Sequence, residues 1–316
     1  MNTREPMPTA DSMIEGLNLS KTYTGASAPA LDDVSLSVAP GEILGVIGPN
    51  GSGKTTLMGC LLGLLKPDQG RTLVAGNSNH SLAAKRLIGY LPERLGFDPW
   101  MKGWAFVAYH HALSGLPAND RAADVEAALS GVGLERAAWT KPLRQYSRGM
   151  LQRVGLAQAL VGSPRCLFLD EPTSGMDPDG ALQARERIQG FAASGGAVII
   201  NSHQLEQLGK LCHSVLFLRA GRVEAGERLR GTEGMSWRVA WLPKAGAEQI
   251  AQTVLDRLKL TEAHLDGGSL RARLGGEAEA AALVQALVQA GLQVHAAGPL
   301  KEDLEKFFDG GGRGAQ

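Results

Sequence analysis

The sequence has little cysteine, and its three cysteines are far apart. Cys60, Cys166 and Cys212 all lie in apolar stretches of the 316-residue chain, and no pair has the spacing of metal ligands. This pattern argues against a disulfide-stabilised secreted domain. It favours buried, reduced thiols in a cytoplasmic protein.

Long apolar runs and net charge are also missing. No uninterrupted apolar run approaches the ~20 residues that span a bilayer, so we expect any transmembrane part of a larger assembly to be another chain. Lys and Arg number 32, as do Asp and Glu, so the formal net charge is zero and no nucleic acid partner is expected. The polar N-terminus has no apolar signal core, and residues 1–12 are expected to form a disordered tail.

What the sequence does contain is a glycine-rich loop between a predicted buried strand, residues 42–47, and a predicted helix. Residues 48–55 match the phosphate-loop pattern G-x-x-x-x-G-K-[ST]. Backbone N–H groups of such a loop, with the start of the helix, face phosphate oxygens. Lys54 supplies a charge for the β- and γ-phosphates and Thr55 a hydroxyl for Mg²⁺. The predicted nucleotide-binding residues here are Gly48, Pro49, Asn50, Gly51, Ser52, Gly53, Lys54, Thr55 and Thr56. The alternative is a glycine-rich turn with a chance lysine.

Two carboxylates follow a second predicted strand. The apolar run 166–169 ends in Asp170 and Glu171, as in a buried parallel strand whose C-terminal end lies at the ligand-binding edge of an α/β sheet. Asp170 is predicted to hold Mg²⁺ through water. Glu171 is predicted to orient and deprotonate the attacking water. The alternative is a solvated strand end.

Between these motifs, residues 146–150 read Tyr-Ser-Arg-Gly-Met and lead into an apolar helix. Ser147 suits the N-cap of that helix, and the N–H groups there also suit an anion. At this point the chain resembles the ATP-binding-cassette (ABC) ATPases, whose signature motif reads Leu-Ser-Gly-Gly-Gln. Ser147 and Gly149 are kept, whereas the other three positions differ. A basic residue at the third position is typical of exporter-type members.

The resemblance covers about residues 12–230 and implies roles for four more residues. Tyr23 matches the aromatic residue that stacks on adenine. Glu93 stands where most members have a glutamine that senses the γ-phosphate and Mg²⁺; a glutamate accepts from metal-bound water but cannot donate. Asp177 lies in the segment that matches the loop crossing to the partner subunit. His203 matches the histidine that contacts the γ-phosphate, although a lone histidine after a strand is more often structural.

The implied fold is α/β: a phosphate-loop NTPase ABC cassette with an inserted helical subdomain, plus a small C-terminal α+β domain. The predicted divisions are 13–230 for the ATP-binding domain, about 93–150 for the helical subdomain, 235–309 for the α+β domain and 310–316 for a disordered tail. In the α+β domain we predict strands over 236–242, 269–274 and 292–296, helices over 248–258 and 277–290, and a short closing helix over 301–308.

The resemblance implies a peripheral ATPase on the cytoplasmic face of the inner (cell) membrane, with ATP and Mg²⁺ as cofactors. Its implied partners are integral membrane permease subunits and a second ATPase subunit, in a homodimer or heterodimer. Two alternatives stay open. A non-transport ABC ATPase acting on ribosomes or DNA is disfavoured by the single phosphate loop and the lack of a sustained heptad run. A regulatory subunit that binds ATP without hydrolysing it is favoured by Glu93 and the altered signature, and disfavoured by Glu171 and His203.

Overall fold

The computed structural model describes residues 12–202, 205–228, 235–258, 260, 263–274 and 277–299. The predicted closing helix and both predicted tails, apart from Ser12, lie outside these ranges, as does His203. The chain divides into two compact units between Glu227 and Arg228. Within the described ranges, every helix falls short of the length and apolar character needed to cross a bilayer.

The first unit combines strands with helices along its whole length. Its strands are β1 (Ile14–Lys21), β2 (Leu31–Val38), β3 (Ile43–Ile47), β4 (Gln69–Val74), β5 (Asn77–Ser78), β6 (Ile88–Leu91), β7 (Cys166–Asp170), β8 (Ala197–Asn201), β9 (Ser214–Arg219) and β10 (Arg222–Arg228). Its helices are α1 (Lys54–Leu61), α2 (Leu82–Lys85), α3 (Gly103–Leu113), α4 (Arg121–Gly131), α5 (Arg148–Leu160), α6 (Pro178–Ala193) and α7 (Leu205–Leu211).

A mainly parallel sheet positions the candidate site. Its strand order is β10-β9-β3-β8-β7-β6, and β3 pairs in parallel with β8 and β9, while β7 pairs in parallel with β6 and β8. Every residue of β3, β7 and β8 is buried, which explains why these strands read as continuous apolar runs rather than alternating ones. Because the strands are parallel, the loops after β3, β7 and β8 all leave from the same edge.

A second sheet in this unit has the order β2-β1-β4-β5, and its neighbouring strands are antiparallel. One apolar core joins residues of this sheet with residues of α1 and of the parallel sheet. Cys60 and Cys166 are completely buried in that core, and burial raises the pKa of the Cys166 thiol to about 12. All three cysteines are buried, as predicted.

The region predicted as a helical subdomain, 93–150, contains α3, α4 and two 3₁₀ turns at Arg136–Ala138 and Leu143–Gln145. His111 on α3 is fully buried, and its Nε2 lies 2.9 Å from Oδ2 of Asp124 on α4. This contact ties the two helices together and suits a structural role for the histidine. Among the described residues, no group of three or more His, Cys, Asp or Glu side chains is arranged to hold a metal ion.

The second unit is an α+β domain. Its elements are β11 (Met235–Trp241), α8 (Ala247–Leu258), β12 (Ala263–Asp266), β13 (Ser269–Leu274), α9 (Glu277–Gln289) and β14 (Val294–Pro299). The sheet order is β12-β13-β11-β14, and all of its pairs are antiparallel. Buried residues of β11, β13 and both helices form a separate core. This βαββαβ order is that of a split βαβ fold.

Apart from one-residue shifts at the ends of β11, α8 and α9, two details of this unit differ from the sequence predictions. The last strand begins at Val294 rather than Leu292, because Gly291 turns the chain with a φ of +89° and Leu292 packs into the core before pairing begins. Strand β12 was not predicted. It has four residues that alternate between half-buried and exposed, too short a pattern to stand out from a loop.

Candidate functional site

The loop between β3 and α1 can be built only with glycine at two of its positions. A Cβ at Gly48 would collide with the carbonyl oxygen of Leu218, and a Cβ at Gly53 would collide with that of Ala30. Gly53 is also the N-cap of α1, with a φ of +106° that favours glycine. The glycines therefore serve close backbone packing, and they bring the loop directly onto the end of β9.

The start of α1 has free capacity for an anion. Its N-cap makes no side-chain hydrogen bond, and the first turn has no acidic residue. The first N–H groups of a helix have no partner within the helix, and the helix dipole favours negative charge there. Next to it, Ser52 is 2 % exposed and its hydroxyl has no hydrogen-bond partner in the described part of the chain. These groups fit a phosphate.

Lys54 lies over the same loop. Its ammonium group donates to the carbonyl oxygens of Gly48, at 2.8 Å, and Pro49, at 3.0 Å. Burial lowers the pKa of Lys54, and the negative charges of Asp170 and Glu171 partly oppose that shift. Because β3 and β7 both pair in parallel with β8, the loop after β3 and the end of β7 lie at the same edge of the sheet, so the lysine and the two carboxylates belong to one site.

Asp170 ends β7 in a buried position. It is 8 % exposed, and its Oδ1 accepts a hydrogen bond of 2.8 Å from the amide of Asn201, at the end of β8. Burial raises the pKa of Asp170; the Asn201 hydrogen bond and the charge of Lys54 oppose this rise, while the charges of Glu93 and Glu171 add to it. The exposed Glu93 therefore lies close enough to act on this carboxylate.

Glu171 is held by four neighbours. Its N–H donates to the Asn201 carbonyl at 2.8 Å, and its Oε2 accepts from the Ser202 hydroxyl at 3.0 Å. Its carbonyl accepts from Nε2 of Gln152 at 2.8 Å and from the Ser174 N–H at 3.1 Å. Its φ is +51°, in the left-handed region that residues with a side chain seldom occupy. The chain leaves β7 in a turn at this residue, and the turn fixes where the carboxylate lies.

The carboxylates of Asp170 and Glu171 and the amide of Asn201 suit both a Mg²⁺ ion and a water molecule next to the γ-phosphate. Asn201 is 6 % exposed, and its Oδ1 has no partner within the described residues, so it is free to accept from a water molecule. The Thr55 hydroxyl at the start of α1 and the Asp170 carboxylate are oxygen ligands of the kind that Mg²⁺ prefers. The donor set therefore fits the predicted ion.

The predicted signature residues lie at the start of α5. Ser147 is the N-cap, and its hydroxyl accepts from the Met150 N–H at 3.2 Å, as expected from the sequence. Gly149 lies close to the loop after β7, because a Cβ there would be 3.1 Å from the Gly175 carbonyl oxygen. Arg148 donates to the Ser174 hydroxyl at 2.7 Å. The helix and this loop are thus in direct contact within one chain.

Asp177 ends that loop as the N-cap of α6. Its Oδ1 accepts from the Gly180 N–H at 3.2 Å and forms an ion pair of 2.9 Å with Arg153 of α5. Arg153 also donates to the Gly133 carbonyl at 2.8 Å. Asp177 therefore has a clear structural role in the single chain, beside its predicted position at the partner subunit.

Three residues beside the catalytic candidates were not predicted: Gln152, Asn201 and Ser202. Asn201 and Ser202 follow a β-rich run whose C-terminal end meets that of β7, because Asp170 pairs with Asn201. The signal was therefore the polar pair at the end of a second buried strand. Gln152 had no such signal, since it is one polar residue within a helix.

Tyr23, two residues after β1, lies beside the first turn of α1. It is 44 % exposed, and its hydroxyl is 3.2 Å from Oγ1 of the buried Thr56. A half-exposed ring next to the phosphate loop is free to form a stacking surface for a base, which suits its predicted contact with adenine.

We expect Tyr23→Ala to weaken ATP binding by about 5- to 150-fold, since base–aromatic stacking contributes about 1–3 kcal/mol. Turnover at saturating ATP should change little. Tyr23→Phe keeps the ring and loses only one half-exposed hydrogen bond, so its dissociation constant should stay within about threefold. Titration with a fluorescent, non-hydrolysable ATP analogue measures both. Equal losses in the two variants would mean that the hydroxyl, not the ring face, makes the contact.

Comparison with known proteins gives a consistent result. Residues 31–174 match the sequence model of the family described as "ABC transporter". The ABC transporter ATP-binding protein sll0415 of Synechocystis sp. is 36 % identical over 260 residues, which cover 80 % of this chain and 73 % of that protein. The daunorubicin resistance ATP-binding protein DrrA3 of Streptomyces coeruleorubidus is 32 % identical over 305 residues, 95 % of each chain. The dimeric structure of MJ0796, a bacterial ABC transporter cassette, has a TM-score of 0.65 and 25 % identity, covering 69 % of this chain and all of that one.

Proposed function

This chain belongs to the ABC transporter family as an ATP-binding subunit, and on that premise we propose that it hydrolyses ATP to power substrate movement through separate transmembrane subunits. The observation that carries the proposal is the position of Lys54, Asp170 and Glu171. All three lie at one edge of the parallel sheet, where the carboxylate charges act on the lysine. A phosphate-binding loop facing two carboxylates is what phosphoryl transfer to water requires.

The chemical roles follow from these positions. The N–H groups of the loop and the Lys54 ammonium hold the β- and γ-phosphates and offset their charge. The Thr55 hydroxyl and the Asp170 carboxylate would hold Mg²⁺, which supplies further neutralisation of phosphate charge. Glu171 accepts a proton from the attacking water. The water oxygen bonds to the γ-phosphorus while the bond from that phosphorus to the β-phosphate oxygen breaks and ADP leaves. His203, outside the described residues, stays a predicted contact of the γ-phosphate.

We further propose that two subunits, identical or homologous, enclose two ATP molecules. Each site takes its phosphate loop from one subunit and Ser147 and Gly149 from the other. In the single chain, the Ser147 hydroxyl caps its own helix, and the N–H groups at the start of that helix favour an anion. A relative of known structure is described as dimeric, which supports this arrangement. Closure around ATP and release after hydrolysis then drive the membrane partner between two states.

Outward transport is the direction we propose. The relative that matches along 95 % of the chain, including its α+β domain, is named for daunorubicin resistance. Resistance requires that a compound be kept from its target, and removal from the cell is the direct means. The basic residue at the third signature position, Arg148, supports the same reading, and the subunit would act at the cytoplasmic face of the cell membrane.

The test is an ATPase assay on the chain purified together with its membrane-bound partners. We expect an integral membrane protein in the purified complex and steady hydrolysis of Mg-ATP that a chelator abolishes. ATP binding without hydrolysis in that complex would instead identify a regulatory subunit. Hydrolysis with no membrane protein in the complex would favour an ATPase that does not serve transport.

A further inference from the structure

The backbone at Glu171 is in a conformation that its neighbours must maintain. Its φ of +51° is unfavourable for a residue with a side chain, by about 1–3 kcal/mol in general. The conformation turns the chain out of β7 and leaves the carboxylate beside the Ser202 hydroxyl, at 3.0 Å. If the turn relaxed, the carboxylate would move away from this position, because side-chain direction follows the backbone.

Gln152 is the residue of α5 that holds this turn. It is 8 % exposed, and its Nε2 donates a hydrogen bond of 2.8 Å to the carbonyl oxygen of Glu171. The opposite side of the same residue is fixed to β8, since the Glu171 N–H donates to the Asn201 carbonyl at 2.8 Å. The N–H side of Glu171 is therefore anchored to a strand. The carbonyl side is anchored to a helix through Gln152 and also accepts from the Ser174 N–H of the same loop, at 3.1 Å.

We propose that Gln152 is a positioning residue for hydrolysis: its side-chain amide holds the Glu171 backbone in the turn that aims the carboxylate. This inference rests on the proposed role of Glu171 as the base. In this role Gln152 acts through the Glu171 backbone and not on the reacting atoms. Misplacing a catalytic group by about 1 Å can lower the rate by about 100-fold. We therefore expect loss of the Gln152 hydrogen bond to slow hydrolysis, although the Ser174 N–H still donates to the same carbonyl.

The same hydrogen bond links Glu171 to the helix that begins at Ser147. Three side chains of α5 contact the loop that follows β7, at Glu171, Ser174 and Asp177. Of these contacts, only that of Gln152 is made to Glu171 itself. Arg148 and Arg153 hold the later part of the loop and do not replace the amide.

The test compares two glutamines of one helix. Gln152→Met keeps the side-chain length and helix preference and removes the N–H donor. Gln158→Met is the matched control, because Nε2 of Gln158 also donates to a backbone carbonyl, at 3.3 Å, but to that of Tyr90 in β6 rather than to Glu171. We expect kcat of Gln152→Met to fall by about 10- to 100-fold with KM for ATP within about twofold, while Gln158→Met keeps both constants. Gln152→Glu, which keeps an oxygen but cannot donate, should behave like Gln152→Met.

A second background separates positioning from general damage to the fold. In Glu171→Gln the aimed carboxylate is gone, so adding Gln152→Met should not lower the residual rate further. An additive loss in the double variant, or a loss of ATP affinity in Gln152→Met, would overturn the proposal. If Glu171→Gln itself hydrolyses ATP normally, the assignment of the base is wrong. If Glu171→Gln is inactive but Gln152→Met is fully active, only the present inference fails.

Discussion

Replacement of Lys54 by alanine is expected to lower kcat/KM for ATP by at least about 100-fold, the usual cost of removing one preorganised group that stabilises transition-state charge. Lys54 is the positive side chain of the phosphate loop, and its ammonium group already lies 2.8 Å from the Gly48 carbonyl. Burial lowers the pKa of Lys54, which means that partial loss of water around the ammonium group makes its charged form less favourable. A phosphate next to it removes that cost, because an anion favours the charged lysine.

Lys66→Ala is the control for this variant. Lys66 is exposed and lies beyond the end of α1. Its replacement removes the same charge from the chain, so kcat/KM of Lys66→Ala should stay at the wild-type value. Steady-state hydrolysis and equilibrium binding of a nucleotide analogue measure the two effects separately. A Lys54→Ala variant with wild-type turnover at saturating Mg-ATP would show that the phosphate loop has been wrongly assigned.

The sequence predicted most of the fold because its local patterns agree with one another. The apolar runs before Gly48 and Asp170 are buried parallel strands, and the structural relatives confirm the predicted cassette fold. At Gly48 and Gly53 the backbone packs against the carbonyl oxygens of Leu218 and Ala30, so these positions have no room for a side chain. Two carboxylates at the end of a buried strand indicated the ligand-binding edge, since burying a charged group costs free energy that a functional site or a partner must offset.

Contacts between elements far apart in sequence were not predictable in this way. Asn201 and Ser202 serve Asp170 and Glu171 because β8 lies next to β7, and the order of strands in a parallel sheet is decided by tertiary packing. Gln152 faces inward on a helix whose other buried residues are mainly apolar, so its polarity alone did not indicate a partner. The roles of the site residues stay predictions, which the variants Tyr23→Ala, Lys54→Ala, Gln152→Met and Glu171→Gln test.

Glu171→Gln is expected to bind ATP and to lose hydrolysis by about 100- to 10,000-fold, the range that general acid–base catalysis contributes. Glutamine has the size of glutamate and can still accept from the Ser202 hydroxyl, so the turn after β7 should persist. Its neutral amide is not a base at neutral pH. A single-turnover assay with radiolabelled ATP separates binding from the chemical step. If the rate is unchanged, the base lies elsewhere, and Glu93 is the first residue to replace.

The same variant should convert from monomer to dimer when Mg-ATP is added. Ser147 caps α5, where its hydroxyl accepts a hydrogen bond from its own helix. In the proposed assembly the start of this helix contacts the ATP that is bound to the phosphate loop of the second subunit. With hydrolysis blocked, each ATP keeps two subunits together, and light scattering should report a doubled mass. Ser147→Arg in this background should prevent the dimer, because a bulky side chain replaces the small hydroxyl at the interface, while ATP binding to the monomer is kept. A dimer that persists in the double variant would mean that the surface around Ser147 does not close the assembly, and the α+β domain would then be the surface to test.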